Sequence, residues 1–155
     1  MDHAGKAREI IAHVPYMTVA SVSAEGGPWN TPVFFGFDDA YNLYWASWVG
    51  SRHSRNIAAN PRVLIVIYDT AAPEGTGLGV YIEATAQALT ETADIERACR
   101  CAYRRAGKEP PGPEAFMGER ARRMYRAVPE RVWVNTTRSV DGEWVDDRIE
   151  VKLAD

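Results

Sequence analysis

Leu43-Tyr44-Trp45-Ala46-Ser47-Trp48-Val49-Gly50-Ser51-Arg52-His53-Ser54-Arg55-Asn56-Ile57-Ala58-Ala59-Asn60-Pro61 runs an apolar strand straight into a turn rich in hydroxyls and bases, which opens a short helix. The first turn of a helix has unpaired backbone N–H groups and partial positive charge, so it favours anions and disfavours Arg and protonated His. Arg52, His53 and Arg55 therefore have the wrong sign for this position. A bound phosphate reverses that account, because the bases then join the hydroxyls of Ser47, Ser51 and Ser54 as charge-assisted partners. On the residues alone a second reading stands beside it: a solvated basic turn, whose ion pairs contribute about 0 to 1 kcal/mol each.

Upstream of this stretch, Ala7, Ile10, Ile11 and Val14 follow the i, i+3, i+4, i+7 spacing of an amphipathic helix, which Pro15 ends. Met17 to Ser23, Trp29 to Phe37 and Asn42 to Trp48 are short, β-branched or aromatic segments separated by turn-forming residues, and they predict an antiparallel meander. Downstream, Val63 to Tyr68 is apolar at successive positions, the pattern of a strand covered on both faces. A flexible loop is expected over Thr70 to Gly79. Val80, Ile82, Ala84, Ala86 and Ala88 then alternate with Tyr81, Glu83, Thr85 and Gln87, and the small alanines leave room for another backbone or a second subunit.

Ile95, Ala98, Cys99, Ala102 and Ala106 form the stripe of a longer helix, acidic early, basic late, and stopped by Gly107. This helix complements its dipole, which sharpens the contrast with the base-loaded start of the helix at 51 to 60. Past the stiff connector Glu109-Pro110-Pro111-Gly112-Pro113, a short helix is expected around Met117 to Arg126. Val132 and Val134 begin a strand, the Asp141-Gly142 turn follows, and Ile149, Val151 and Leu153 form a closing strand. The fold class is α+β: about six to seven mostly antiparallel strands in a small barrel with inserted helices, within a single domain over 1–155.

A chain of 155 residues with 46% hydrophobic content buries one core, and small barrels of this size often complete it by dimerising. The net charge of −3 argues against a general nucleic-acid or anionic-membrane surface. Met1-Asp2-His3 begins no charged-then-apolar leader, and no apolar run approaches the ~20 residues that span a bilayer, so a cytoplasmic protein is expected. Cys99 and Cys101 lie two apart on a helix and point in different directions, as reduced structural thiols. Gly75-Thr76-Gly77-Leu78-Gly79 precedes a strand instead of joining a strand to a helix, which excludes a dinucleotide loop. His3, His13 and His53 are scattered with no metal-ligand spacing, no Gly-x-Ser-x-Gly elbow occurs, and no metal is expected. Trp29, Trp45, Trp48, Trp133 and Trp144 all fall on or beside predicted strands, where flat rings border a planar ligand or fill the core.

Gly27-Pro28-Trp29-Asn30-Thr31-Pro32-Val33, the strand Leu43 to Ser47 and the segment Ser51 to Pro61 together resemble the FMN-binding split-barrel superfamily named for pyridoxamine 5′-phosphate oxidase. The resemblance extends from Tyr16 to Glu150. It implies a homodimer with two flavins, each in a groove between subunits, and an oxidoreductase that exchanges hydride or electrons with a small molecule. Asn30, Thr31, Pro32 and Val33 would edge the flavin ring through backbone groups, while Ser47, Ser51, Arg52 and His53 map onto the phosphate side. Trp133 and Arg148 map as contributions of the second subunit. His53 stands where the family commonly has Lys, so its charge falls as pH rises through the imidazole range. Asn30 replaces an Arg and Phe35 a phosphate-binding Lys of the oxidase itself, and nothing matches that enzyme's grip on pyridoxal phosphate, so its own activity is not implied. Relatives of this fold also bind the deazaflavin F420, or bind flavin or haem without turnover. These remain the alternatives.

Overall fold

A computed structural model describes residues 2–154. Helix α1 (His3–His13) is capped by Asp2, whose carboxylate accepts the Gly5 N–H at 2.8 Å, and it buries Ala7 and Ile11. Strands β1 (Tyr16–Val22), β2 (Pro28–Phe34), β3 (Gly36–Phe37) and β4 (Leu43–Trp48) follow, then α2 (Arg52–Ala59), β5 (Arg62–Tyr68) and β6 (Gly79–Ala88). Helix α3 (Thr92–Arg105) and a 3-10 turn (Pro113–Phe116) precede the long hairpin of β7 (Arg122–Val140) and β8 (Glu143–Val151).

All strands join one antiparallel sheet in the order β2-β1-β5-β6-β7-β4-β3, with β8 also on β7. Strands β2 and β3 stand at opposite ends of this path, yet only Phe35 separates them in the chain. The two ends of the sheet must therefore meet, and the sheet curls into a barrel closed by a covalent link where no ladder joins it. Phe35 is fully buried at that link. The expected meander is thus corrected: β1 and β2 form a hairpin, but the 29–37 segment breaks at Phe35 and only its last two residues pair with β4.

The barrel interior holds Val19, Trp45, Ile65, Ile67, Ile82 and Val134, with α1 and α2 packed over its ends. Ala84 and Ala86 of β6 face inward while Ala88 is exposed, and the chain's own backbone approaches at Ala86, whose N–H donates to the Pro61 carbonyl at 2.8 Å. A second apolar layer lies outside β4 and β7, where Ile95, Ala98, Cys99 and Ala102 of α3 pack on Tyr44 and Met124. Helix α3 can lie this close because position 36 is glycine; a Cβ there would run into the backbone of Cys101 and Ala102. Both cysteines are free, with Cys99 buried, and burial pushes its thiol up to about 11.

Two further expectations are corrected. No helix forms over Met117 to Arg126: the segment from Arg122 is strand, and Met124, Tyr125 and Ala127 are buried by pairing with β4 and β6. Strand β5 is covered on one face only. Val63, Ile65 and Ile67 are buried, whereas Leu64 is 41% and Tyr68 47% exposed, because no helix covers the outer face of the sheet at β5. Pro129 sits in the middle of β7 without breaking it, since the register shifts there against Glu83 and Ala84 and the missing N–H falls at the bulge. Among the described residues, no helix is long and apolar enough to cross a membrane.

Candidate functional site

The turn between β4 and α2 is built as a buried polar knot. Ser51 is the N-cap of α2 and its Oγ accepts the Ser54 N–H at 3.4 Å and donates to Ser54 Oγ at 2.8 Å. His53 is 6% exposed, and its Nε2 lies 2.8 Å from Ser47 Oγ, with Ser51 Oγ 3.3 Å from the ring. Burial lowers the imidazole below its ordinary value of 6.5, so the ring is neutral at pH 7. Asn56 anchors the helix to β1 by donating to Ser21 Oγ at 3.0 Å.

The two arginines are drawn off the helix start by local partners. Arg52 lies 4.4 Å above the Trp29 ring, at the beginning of β2, and Arg55 donates to the Gly50 carbonyl at 2.5 Å. Both side chains are nonetheless exposed, so the solvated basic turn still stands beside the phosphate reading. Of the sequence candidates, the structure brings Ser47, Ser51 and His53 into mutual contact and places Arg52 against β2.

Strand β2 is an edge strand with β1 as its only ladder partner, so half of its backbone N–H and C=O groups face away from the sheet. Along that free edge runs a cleft of about 640 Å³, lined by Tyr16, Pro32, Val33 and Phe34, by Ala46, by Ala102, Tyr103 and Ala106 of α3, and by Lys108 and Arg122. Its size falls within the ~300 to 1,000 Å³ of small-molecule sites. The side chains of Asn30 and Pro32 lie on the outer face of the sheet, while those of Thr31 and Val33 are half-buried. Ser47, Ser51 and His53 are not in the cleft wall; they lie on the other side of β4 from Ala46. The helix start touches β2 at Trp29 and the cleft touches it at Pro32 to Phe34, about 14 Å apart for four residues of strand.

Trp133 and Arg148 lie elsewhere. Trp133 is half-buried on β7 beneath the Arg131 guanidinium at 4.6 Å, and Arg148 on β8 lies 4.3 Å over the Tyr81 ring. They share the outer sheet face with Asn30 and Pro32, but four strand spacings, on the order of 19 Å, separate β2 from β7. Lys108 and Arg122 escaped the sequence reading altogether. Arg122 was hidden inside the expected helix over Met117 to Arg126, and Lys108 reaches the cleft only because α3 folds back over β4. Among the described residues no cluster of three or more His, Cys, Asp or Glu is placed to hold a metal ion.

Comparisons with known proteins address the same architecture. The family model described as pyridoxamine 5′-phosphate oxidase matches residues 4–136. No curated protein sequence matches the chain. Among solved structures, a heme binding protein from Mycobacterium smegmatis superposes with a TM-score of 0.72 at 21% identity over 95% of this chain, which spans 57% of that protein. An F420 reductase superposes at 0.60 with 18% identity, covering 81% of this chain and 94% of that one. A FAD-binding protein from Mesorhizobium loti superposes at 0.63 with 18% identity, covering 84% and 92%. At these identities the superpositions show a shared fold, and together with the family match they show that the chain belongs to the pyridoxamine 5′-phosphate oxidase-like family of FMN-binding split barrels.

Proposed function

We propose that this chain is an FMN-binding oxidoreductase that passes hydride or electrons between the flavin and a small molecule, working as a homodimer. The observation that carries the reading is the cleft along the free edge of β2, which combines an unpaired backbone ladder, an apolar floor and two cations, Lys108 and Arg122. An edge of alternating donors and acceptors suits the polar rim of an isoalloxazine, and the family match supplies the class of ligand. Arg52, Ser47, Ser51 and His53 at the far end of β2 would hold the phosphate. Bound there, the flavin supplies the redox chemistry. The chain's own residues bind it, orient it against Asn30 to Val33 and screen it from water with Phe34 and Tyr103.

The dimer belongs to the same reading, which assigns Trp133 and Arg148 to the flavin. Trp133 and Arg148 lie too far across the sheet to close on a ligand at the β2 edge of their own chain, so under this reading the second subunit contributes them. The test is the visible spectrum of freshly purified protein, with mass spectrometry of whatever denaturation releases. Released FMN supports the reading; a colourless protein that ignores added FMN defeats it.

A second reading, an F420-dependent reductase, is favoured by one observation. F420 carries a long acidic tail that calls for a basic groove, and Lys108 and Arg122 make the cleft more basic than the linear sequence suggested. Release of a deazaflavin in the same experiment selects it. Tight flavin or haem binding without reduction by NADH or NADPH marks a non-catalytic carrier instead.

A further inference from the structure

Beside the cleft, on the far side of Pro32 and Tyr16, lies a second recess of about 360 Å³ that none of the preceding assignments uses. Its walls come from the end of α1 (His13, Val14), the start of β1 (Tyr16 to Thr18), Pro32 of β2, and the end of β5 (Val66, Tyr68) with Asp69 and Thr70. The partition between recess and cleft is one residue thick. Tyr16 lines both, and its ring meets Phe34 of the cleft edge-on at 5.7 Å.

The recess has aromatic walls and a polar rim. Tyr16 is 57% and Tyr68 47% exposed, a pair of phenol rings left open at its mouth. Asp69 uses Oδ1 to accept the Ala71 N–H at 2.9 Å, which fixes the carboxylate and leaves Oδ2 with no partner among the described residues. His13 Nδ1 donates to the Glu9 carbonyl at 2.8 Å, which holds the ring at the rim. No Lys or Arg lines the recess. A fixed carboxylate on an aromatic frame selects a planar molecule that donates hydrogen bonds and carries positive charge.

We infer that this recess is a binding site for a small aromatic cation, such as an amidine or a protonated aromatic amine, and that it forms the substrate side of the cleft at Pro32. The second half of that statement rests on the flavin reading above; the first half does not. Benzamidine and benzoate, which share a ring and differ in charge, are the probes, titrated by calorimetry and by amide chemical-shift mapping on the full chain. Benzamidine is expected to bind with shifts at Tyr16, Tyr68 and Asp69, and benzoate about tenfold more weakly or not at all.

Asp69→Asn retains the Oδ1 acceptor for Ala71 and so keeps the loop, and it is expected to weaken benzamidine about tenfold while leaving FMN retention unchanged. Benzoate binding as tightly as benzamidine, shifts confined to other surfaces, or an Asp69→Asn protein with undiminished affinity overturns the assignment. Benzamidine bound by a protein that takes up no flavin upholds the recess and defeats the flavin reading. Flavin bound without benzamidine does the reverse.

Discussion

His53 carries the sharpest residue-level consequence of the fold. Its ring is desolvated and tied to Ser47 and Ser51, so the folded apoprotein resists the proton that the unfolded chain accepts near pH 6.5. A lowered folded-state pKa means that stability is complete above that value and is lost as pH falls below it. Urea midpoints of the apoprotein are therefore expected to drop between about pH 7 and pH 5, and to drop less in His53→Gln. A phosphate at this turn acts in the opposite direction, because it favours the charged ring. FMN affinity is expected to rise as the pH falls through the imidazole range, and a flat profile would mark His53 as a neutral partner only. For Arg52, a charge-assisted bond of about 1.5 to 3 kcal/mol predicts that Arg52→Ala weakens FMN roughly ten- to a hundredfold, measured by quenching of flavin fluorescence. These identities were legible in the sequence, since hydroxyls and bases at a helix start are conspicuous; the direction in which each base points was not. Trp29, twenty-three residues upstream, decides it for Arg52.

At the scale of elements, packing overrode local pattern in two places. The segment Met117 to Arg126 has helix-forming residues, yet from Arg122 it is strand because β4 and β6 both offer unpaired edges that only a third strand can satisfy. Helix α1 is held by a partner no local rule anticipates: the Arg105 guanidinium donates to the carbonyls of Ile11 at 2.8 Å and Val14 at 2.6 Å, and lies 4.3 Å over the Phe35 ring. It closes the carbonyl end of α1 from α3. Arg105→Ala is expected to cost on the order of 2 kcal/mol, and hydrogen exchange should quicken first at the amides of α1. Gly36→Ala tests a close approach of two backbones. With the backbone of α3 in the way, it is expected to lose about 1 to 3 kcal/mol in urea unfolding.

The whole molecule leaves its outer sheet face unfinished. Leu64 lies exposed between Ala20 and Glu83 on a surface that α1, α2 and α3 do not cover. If the second subunit covers this face, Leu64→Arg is expected to shift sedimentation velocity from dimer to monomer and to weaken FMN in parallel, since Trp133 and Arg148 are then withdrawn. A wild-type protein that sediments as a monomer at all concentrations would remove the dimeric site.

Legible from the chain alone were the alternation of strands, the stop of α3 at Gly107 and the chemistry gathered at Ser47 to His53. Each of these depends on residues within a few positions of one another, where backbone sterics and local hydrogen bonds dominate. Tertiary structure decided the rest: the closure of the barrel at Phe35, the strand identity of Met124 and Tyr125, and the cleft where Lys108 and Arg122 meet Pro32 and Val33. Strand pairing joins Met124 to Ala46 and the cleft joins Arg122 to Pro32, positions far apart in the chain, and the register that unites them is fixed by which apolar faces can be buried together.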